Sequence, residues 1–120
     1  MKILVCEDDE IMLKVIEASL IGINAQAIYV TDGEQAFNKL KEQDFDVVIT
    51  DIHMPFHNGD EILRFIREKQ GDKIPVIVIS SDAEEEVVNL TLQSGANEFI
   101  TKPIDPVKLN KKLKKFLKTA

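Results

Sequence analysis

Hydrophobic residues recur along this chain in two alternating patterns. Short, continuous apolar runs occupy residues 2–6, 25–30, 46–50, 75–80 and 97–100. "VVIT" and "VIVIS" are unbroken and β-branched, which suits strands covered on both faces, as in a parallel sheet. Amphipathic segments separate the runs and carry helix punctuation. Thr31 stands three residues before Glu34, Asn58 three before Glu61 and Ser81 three before Glu84, and each spacing can close a capping box. Asp105 followed by Pro106 is an N-cap with proline at the first helical position. Gly22, Gly71 and Gly95 fall where helices should stop. The pattern predicts β-α five times over, without repeat, low-complexity stretch or linker. Right-handed crossovers then place helices on both faces of one sheet, in a single doubly wound α/β domain over residues 1–120. In the first helix Met12, Val15, Ile16, Ser19 and Leu20 form one stripe at 100° per residue, and Leu13 and Ile21 fall off it. Leu13 is therefore expected to be free to dock on a helical partner.

Composition narrows the classes. A chain of 120 residues can build one hydrophobic core. The net charge of −6 is unevenly spread: residues 101–120 hold seven of the 15 basic side chains and one of the 21 acidic ones. An acidic body disfavours nucleic acid as a partner. Lys108, Lys111, Lys112, Lys114, Lys115 and Lys118 interleave with Leu109, Leu113, Phe116 and Leu117, so a solvated helix face is the first expectation and contact with an acidic partner the second. The lone Cys6 can make no intrachain disulfide and reads as a small buried hydrophobe. No signal peptide precedes the first acids and no apolar run is long enough to cross a bilayer, so the cytoplasm is the expected location. Met1, two residues before the first strand, is expected to be a natural start; the sequence leaves open whether a longer protein continues past Ala120.

Doubly wound sheets bind ligands outside the carboxyl ends of their strands. The residues expected there are Glu7 and Asp8 after the first strand, Asp51 after the third, Ser80 after the fourth and Lys102, followed by Pro103, after the fifth. Three carboxylates crowded together repel one another, at about 4 kcal/mol for two charges 4 Å apart at an effective dielectric near 20. A hard divalent cation such as Mg²⁺, which prefers oxygen ligands and phosphate, removes that penalty. Ser80 adds a hydroxyl donor and Lys102 a point charge for a phosphate. Asp51 is then available as a nucleophile. Asp9 and Glu10 read as helix-capping acids. His53 and His57 lack the companion ligands of a zinc site.

With these residues in order, the whole chain resembles the receiver domain of two-component response regulators. The resemblance rests on Glu7–Asp8, on "DIHMPFHNG" from Asp51 to Gly59, on Ser80, and on "TKP" ending at Pro103. It implies a flavodoxin-like topology with strand order 2-1-3-4-5. It implies that Asp51 accepts a phosphoryl group from a histidine of a kinase or phosphotransfer protein. Asp8 would ligate Mg²⁺ directly, Glu7 through a bound water, and the backbone carbonyl of His53 would be a further ligand. Lys102 would pair with the phosphoryl oxygens and Ser80 would hydrogen-bond one of them. Pro103 would follow a cis peptide bond. Phe99 would be an aromatic switch whose ring moves inward on activation, and a downstream protein would dock on the face of the fourth helix, fifth strand and fifth helix. His53 and Asp82 flank the site and are expected to tune the lifetime of the phosphorylated form. Such a chain is a switch rather than a turnover enzyme, either alone or as a receiver segment of a larger regulator or hybrid kinase. Two other functions on related chemistry fit less well. A flavin-binding electron carrier needs a phosphate loop where Glu7–Glu10 stand. An aspartyl-nucleophile phosphatase needs a second acid where His53 stands.

Overall fold

The computed structural model describes residues 1–54, 58–71, 73–82 and 84–117. Ten elements alternate: β1 (Lys2–Cys6), α1 (Glu10–Ser19), β2 (Gln26–Val30), α2 (Gly33–Glu42), β3 (Val47–Asp51), α3 (Gly59–Gln70), β4 (Val76–Ser80), α4 (Glu85–Gln93), β5 (Glu98–Thr101) and α5 (Pro106–Leu117). All strand pairs are parallel, in the order β2-β1-β3-β4-β5. The expected (βα)5 architecture and strand order are therefore present.

β1 spans the expected residues, the other four strands begin one residue later than expected, and β3 and β5 also end one residue later. Asp46 is not in β3; its carboxylate accepts the backbone N–H of Lys2 at 2.7 Å. Pro75 has no N–H to give to a ladder, although its carbonyl accepts from Val48 at 3.0 Å. Asn97 precedes β5, and its side-chain oxygen takes the N–H of Val76 at 2.9 Å. Ala25 stands just ahead of β2.

Successive side chains on a strand point to opposite faces, so each central strand feeds two cores. Leu4, Cys6, Val48, Val76 and Val78 pack with Ala36, Leu40, Ile62, Leu63 and Ile66 beneath α2 and α3. Ile3, Val5, Val47, Ile49, Ile77 and Ile79 pack with Ile16, Leu109 and Leu113 beneath α1 and α5. This double coverage is why β3 and β4 read as unbroken apolar runs.

The caps are partly as expected. Asn58 accepts from the N–H of Glu61 at 3.1 Å, and Asp105 from that of Val107 at 2.9 Å. Gly22, Gly71 and Gly95 lie beyond α1, α3 and α4 with φ of 81°, 61° and 113°. Two boxes differ. Asp32, not Thr31, caps α2: it accepts from Gln35 N–H at 2.8 Å, and the Gln35 side chain reaches back to the Thr31 N–H. Ser81 does not cap α4, whose first-turn N–H groups receive no side-chain cap from Glu84. Leu13, expected off the buried stripe, is half-buried against the α1–α5 core, whereas Ile11 and Ile21 are 70% and 75% exposed. No helix among the described residues is long and apolar enough to cross a membrane.

Candidate functional site

The strand order sets β1, β3 and β4 side by side, so their carboxyl ends form one rim. Glu7 follows β1 and Asp8 follows Glu7; Asp51 ends β3, Ser80 ends β4, and Lys102 follows β5. Lys102 reaches back across β4: its Nζ lies 2.7 Å from Asp51 Oδ2 and 3.1 Å from Glu7 Oε1. The peptide bond from Lys102 to Pro103 is cis, as expected. The backbone of the turn is fixed as well, since Lys102 N–H donates to the carbonyl of Ser80 at 2.9 Å.

Glu7 and Asp51 are almost without exposed surface, at 0% and 5%, whereas Asp8 lies open to solvent. Two backbone donors steer these carboxylates: His53 N–H to Asp51 Oδ1 at 3.1 Å and Asp9 N–H to Glu7 Oε1 at 3.2 Å. Burial, reinforced by the neighbouring Asp51, pushes the Glu7 carboxyl up to about 7 against the opposing pull of Lys102. For Lys102, burial pulls the pKa down, but the hydrogen bonds and charges of Asp51 and Glu7 outweigh it and the net direction is up. Cys6, wholly buried, is pushed up to about 12 by burial and stays an inert thiol.

The donor set fits a hard divalent cation. Glu7, Asp8 and Asp51 each present an oxygen within 4.8 Å of the other two. Glu7 Oε2 is buried and accepts no hydrogen bond, the state of an acceptor that wants a cation or a cation's water. One ammonium faces two buried carboxylates and a third exposed one, so the site has room for further positive charge.

The other expected residues sit around this centre. Ser80 is fully buried; its Oγ accepts from the N–H of Asp82 at 3.0 Å, which leaves its own proton free to be donated. The His53 side chain is exposed, and it lines a cleft of about 220 Å³ with Asp82, Asn58 and Val87. Phe99 is half-buried against the α2–α3 core, some way from the carboxylates along β5. Pro55–His57, part of the quoted motif, lie outside the described residues, as does Lys118.

Sequence reasoning assigned no role to two residues that shape the site. A Cβ on Gly59 would meet the carbonyl oxygen of Asp51 at 2.6 Å and the Cα of Ile52 at 2.8 Å, while its N–H donates to the carbonyl of Ile52 at 2.9 Å. The start of α3 is thus pressed onto the end of β3, a close approach that only glycine permits and that the sequence does not announce. Thr50 Oγ1 donates to the carbonyl of Asp51 at 3.0 Å, but a threonine ending a strand carries no signal of that bond.

Comparison with known proteins places this geometry. The model of the response regulator receiver domain matches residues 3–114. The chemotaxis protein CheY homolog of Campylobacter jejuni is 33% identical over 122 residues, covering 99% of this chain and 94% of that protein. The sensory/regulatory protein RpfC of Xanthomonas campestris is 34% identical over 112 residues, which are 91% of this chain and 15% of RpfC. The chain thus spans under a sixth of that relative's length. Among solved structures, the BeF3-activated receiver domain of DrrB, from Thermotoga maritima, superposes with a TM-score of 0.89 at 32% identity, covering 98% of this chain and 97% of that one. The receiver domain of sensor histidine kinase PA1611 from Pseudomonas aeruginosa, which has a magnesium ion coordinated in its active-site cleft, gives 0.84 at 29%, covering 98% and 97%.

Proposed function

Because this chain belongs to the response regulator receiver domains, the switches of two-component signalling, we propose that its 120 residues form one such switch, set by reversible phosphorylation of Asp51. The observation that carries this reading is the convergence of Glu7, Asp8, Asp51 and Lys102 from three strand ends, with one ammonium bridging two buried carboxylates. Glu7, Asp8, Asp51 and the backbone carbonyl of His53 would hold Mg²⁺, whose charge would let phosphoryl oxygens approach an anionic site.

The remaining chemistry belongs to the chain. His53 N–H holds one oxygen of Asp51, and Lys102 holds the other. When a phosphohistidine of a kinase or phosphotransfer protein is presented, Asp51 attacks phosphorus in line. The P–N bond breaks, its electron pair returns to the imidazole nitrogen, and an aspartyl phosphate forms. Lys102 moves from carboxylate to phosphoryl oxygen, where it stabilises the charge that develops there. Ser80 donates its free proton to a second phosphoryl oxygen. Water later attacks phosphorus and frees Asp51 and inorganic phosphate; His53 and Asp82 flank that approach and set its rate.

The phosphoryl group adds nearly two negative charges and three acceptors. It biases two existing arrangements of the domain according to its different interactions with each. Movement of Ser80 makes space that Phe99 fills, which reshapes the α4–β5–α5 face for a downstream protein. The free, reduced Cys6 suits a cytoplasmic setting. A receiver of this kind works alone or as one part of a longer protein, as the 94% and 15% shares of the two relatives illustrate.

The reading is tested by backbone NMR during titration with Mg²⁺ and then beryllofluoride, an analogue of the phosphoryl group. Shifts of the Asp8, His53 and Lys102 amides in the first step, and of Ser80 and Phe99 in the second, are expected. A spectrum unmoved by either, or moved equally in Asp51→Asn protein, would refute it.

A further inference from the structure

Strand β3 runs through Val47, Val48, Ile49 and Thr50 to Asp51. Side chains two apart on a strand share a face, so Thr50 points with Val48 toward α2 and α3. Its register partner on β1 is Cys6. Thr50 has no exposed surface. Valine has the same branched shape and would suit this apolar position better, since burying a hydroxyl is costly unless it is hydrogen-bonded. Packing therefore does not ask for the hydroxyl. The buried hydroxyls of Ser19 and Thr91 are satisfied within their own helices, on the carbonyls four residues back. That of Thr50 instead donates forward, to the carbonyl of Asp51 at 3.0 Å.

This bond holds one end of a peptide plane. At the other end of the Asp51–Ile52 peptide, the Ile52 N–H donates to the carbonyl of Ile79 at 3.1 Å. The next plane is held in the same way: His53 N–H donates to Asp51 Oδ1 at 3.1 Å, and the carbonyl of Ile52 accepts from Gly59 N–H at 2.9 Å. Peptide planes are rigid and turn only about φ and ψ, so a tilt at the Asp51 carbonyl is passed on to the His53 N–H and to the His53 carbonyl beyond it. The Asp51 carbonyl oxygen is also the atom against which Gly59 is pressed, 2.6 Å from where a Cβ would lie. Thr50 and Gly59 thus act on one oxygen, the first by donating to it and the second by leaving it room.

We infer that Thr50 is a positioning residue for phosphoryl transfer. Its hydroxyl fixes the peptide after Asp51, and through it the N–H of His53 that steers the Asp51 carboxylate and the carbonyl of His53 that would face Mg²⁺. The inference rests on the reading of Asp51 as the phosphoryl acceptor, and it adds a side chain that touches neither the metal nor the phosphoryl group. Reaction geometry tolerates little: a misplacement of about 1 Å can cost on the order of a hundredfold in rate. Without the hydroxyl the Asp51 carbonyl loses this donor, and the plane is free to tilt.

The parent is compared with Thr50→Val, which removes the hydroxyl, Thr50→Ser, which keeps it and removes the methyl, and Thr50→Ala, which removes both. NMR of metal-free protein reads the His53 amide proton, which a hydrogen bond to a carboxylate holds downfield. It should move upfield in Thr50→Val and Thr50→Ala and stay near the parent position in Thr50→Ser. Mg²⁺ affinity, read by calorimetry, should fall roughly tenfold in Thr50→Val and far less in Thr50→Ser. The rate of Asp51 phosphorylation at saturating Mg²⁺ and acetyl phosphate should fall roughly tenfold in Thr50→Val. The half-saturating acetyl phosphate concentration should not change, because Lys102 and Ser80 are untouched. Urea midpoints separate this from a structural role, since Thr50→Ser loses packing and keeps the hydroxyl. Rates that follow the midpoints rather than the hydroxyl, or a parental rate and His53 resonance in Thr50→Val, would overturn the inference. Where Thr50→Val does not fold, Thr50→Ser and Thr50→Ala, which differ by the hydroxyl alone, give the same comparison. If the parent takes no phosphoryl group on Asp51, the failure lies with that reading. The His53 resonance in metal-free protein then still decides whether Thr50 orients the peptides after Asp51.

Discussion

Glu7 carries the cost of the site. Its side chain has no exposed surface, one oxygen is unbonded, and its pKa is raised from about 4.5 to about 7. Between those values the folded metal-free protein holds a proton that the unfolded chain has released. Stability should therefore be highest below the lower value and fall as pH rises through the window. Urea midpoints at about pH 5 and pH 8 measure this. The fall should be smaller in Glu7→Gln protein and smaller in millimolar Mg²⁺; a metal-free protein that gains stability over the window contradicts the assignment. Asp8 is the opposite case. It is exposed, so Asp8→Asn should leave the urea midpoint within about 0.5 kcal/mol of the parent and still weaken Mg²⁺ binding about tenfold or more, read by calorimetry. Lys102→Met removes the ammonium that faces both buried acids. It should cost about 3 kcal/mol without metal, less when Mg²⁺ is present.

Among the elements, α3 and α4 hold what the sequence concealed. The strand ends and the alternation of elements were legible because hydrophobic runs covered on both faces leave a continuous signature. The convergence of Glu7, Asp51, Ser80 and Lys102 was legible because each follows or ends such a run. Close approaches leave no such trace: nothing in "HNGDE" says that the glycine backbone lies against the carbonyl of Asp51. Gly59→Ala should destabilise the domain by about 1–3 kcal/mol and slow Asp51 phosphorylation, whereas Gly22→Ala meets open space and is strained only by its φ of 81°. Arg67 was equally hidden. Its guanidinium donates to the carbonyls of Gly71, Ile74 and Gly95 and to Asn97 Oδ1 at 2.7–2.9 Å, tying α3 to the starts of β4 and β5. An arginine on an amphipathic helix reads as surface until the distant carbonyls are known. The cap of α4 failed for the reverse reason: the spacing of Ser81 and Glu84 was right, but the chain reaches α4 through Asp82, whose Oδ1 accepts from the N–H of Glu84 at 3.1 Å. Glu84→Asp supplies the missing side-chain cap and should raise stability by about 0.5–1 kcal/mol in thermal or urea unfolding.

At the scale of the whole molecule, the strand order makes a switch of these parts. Placing β1 and β3 together brings the acids to one rim, and placing β5 at the edge lets its two ends serve different purposes. Lys102 turns inward to the acids while Phe99 and the α5 lysines border an open cleft. On the proposed reading, a charge added at Asp51 would reach a surface built from other elements through Ser80 and β5. That surface is where the basic residues concentrate, although they form a minority of the chain's charge. The most direct test of the account is peptide mapping by mass spectrometry after exposure to acetyl phosphate. With Mg²⁺, the peptide containing Asp51 should gain the mass of one phosphoryl group, stable in acid and lost in base, and chelation of the metal or Asp51→Asn should abolish it. A phosphoryl group on any other residue, or one acquired equally in the presence of chelator, would contradict it.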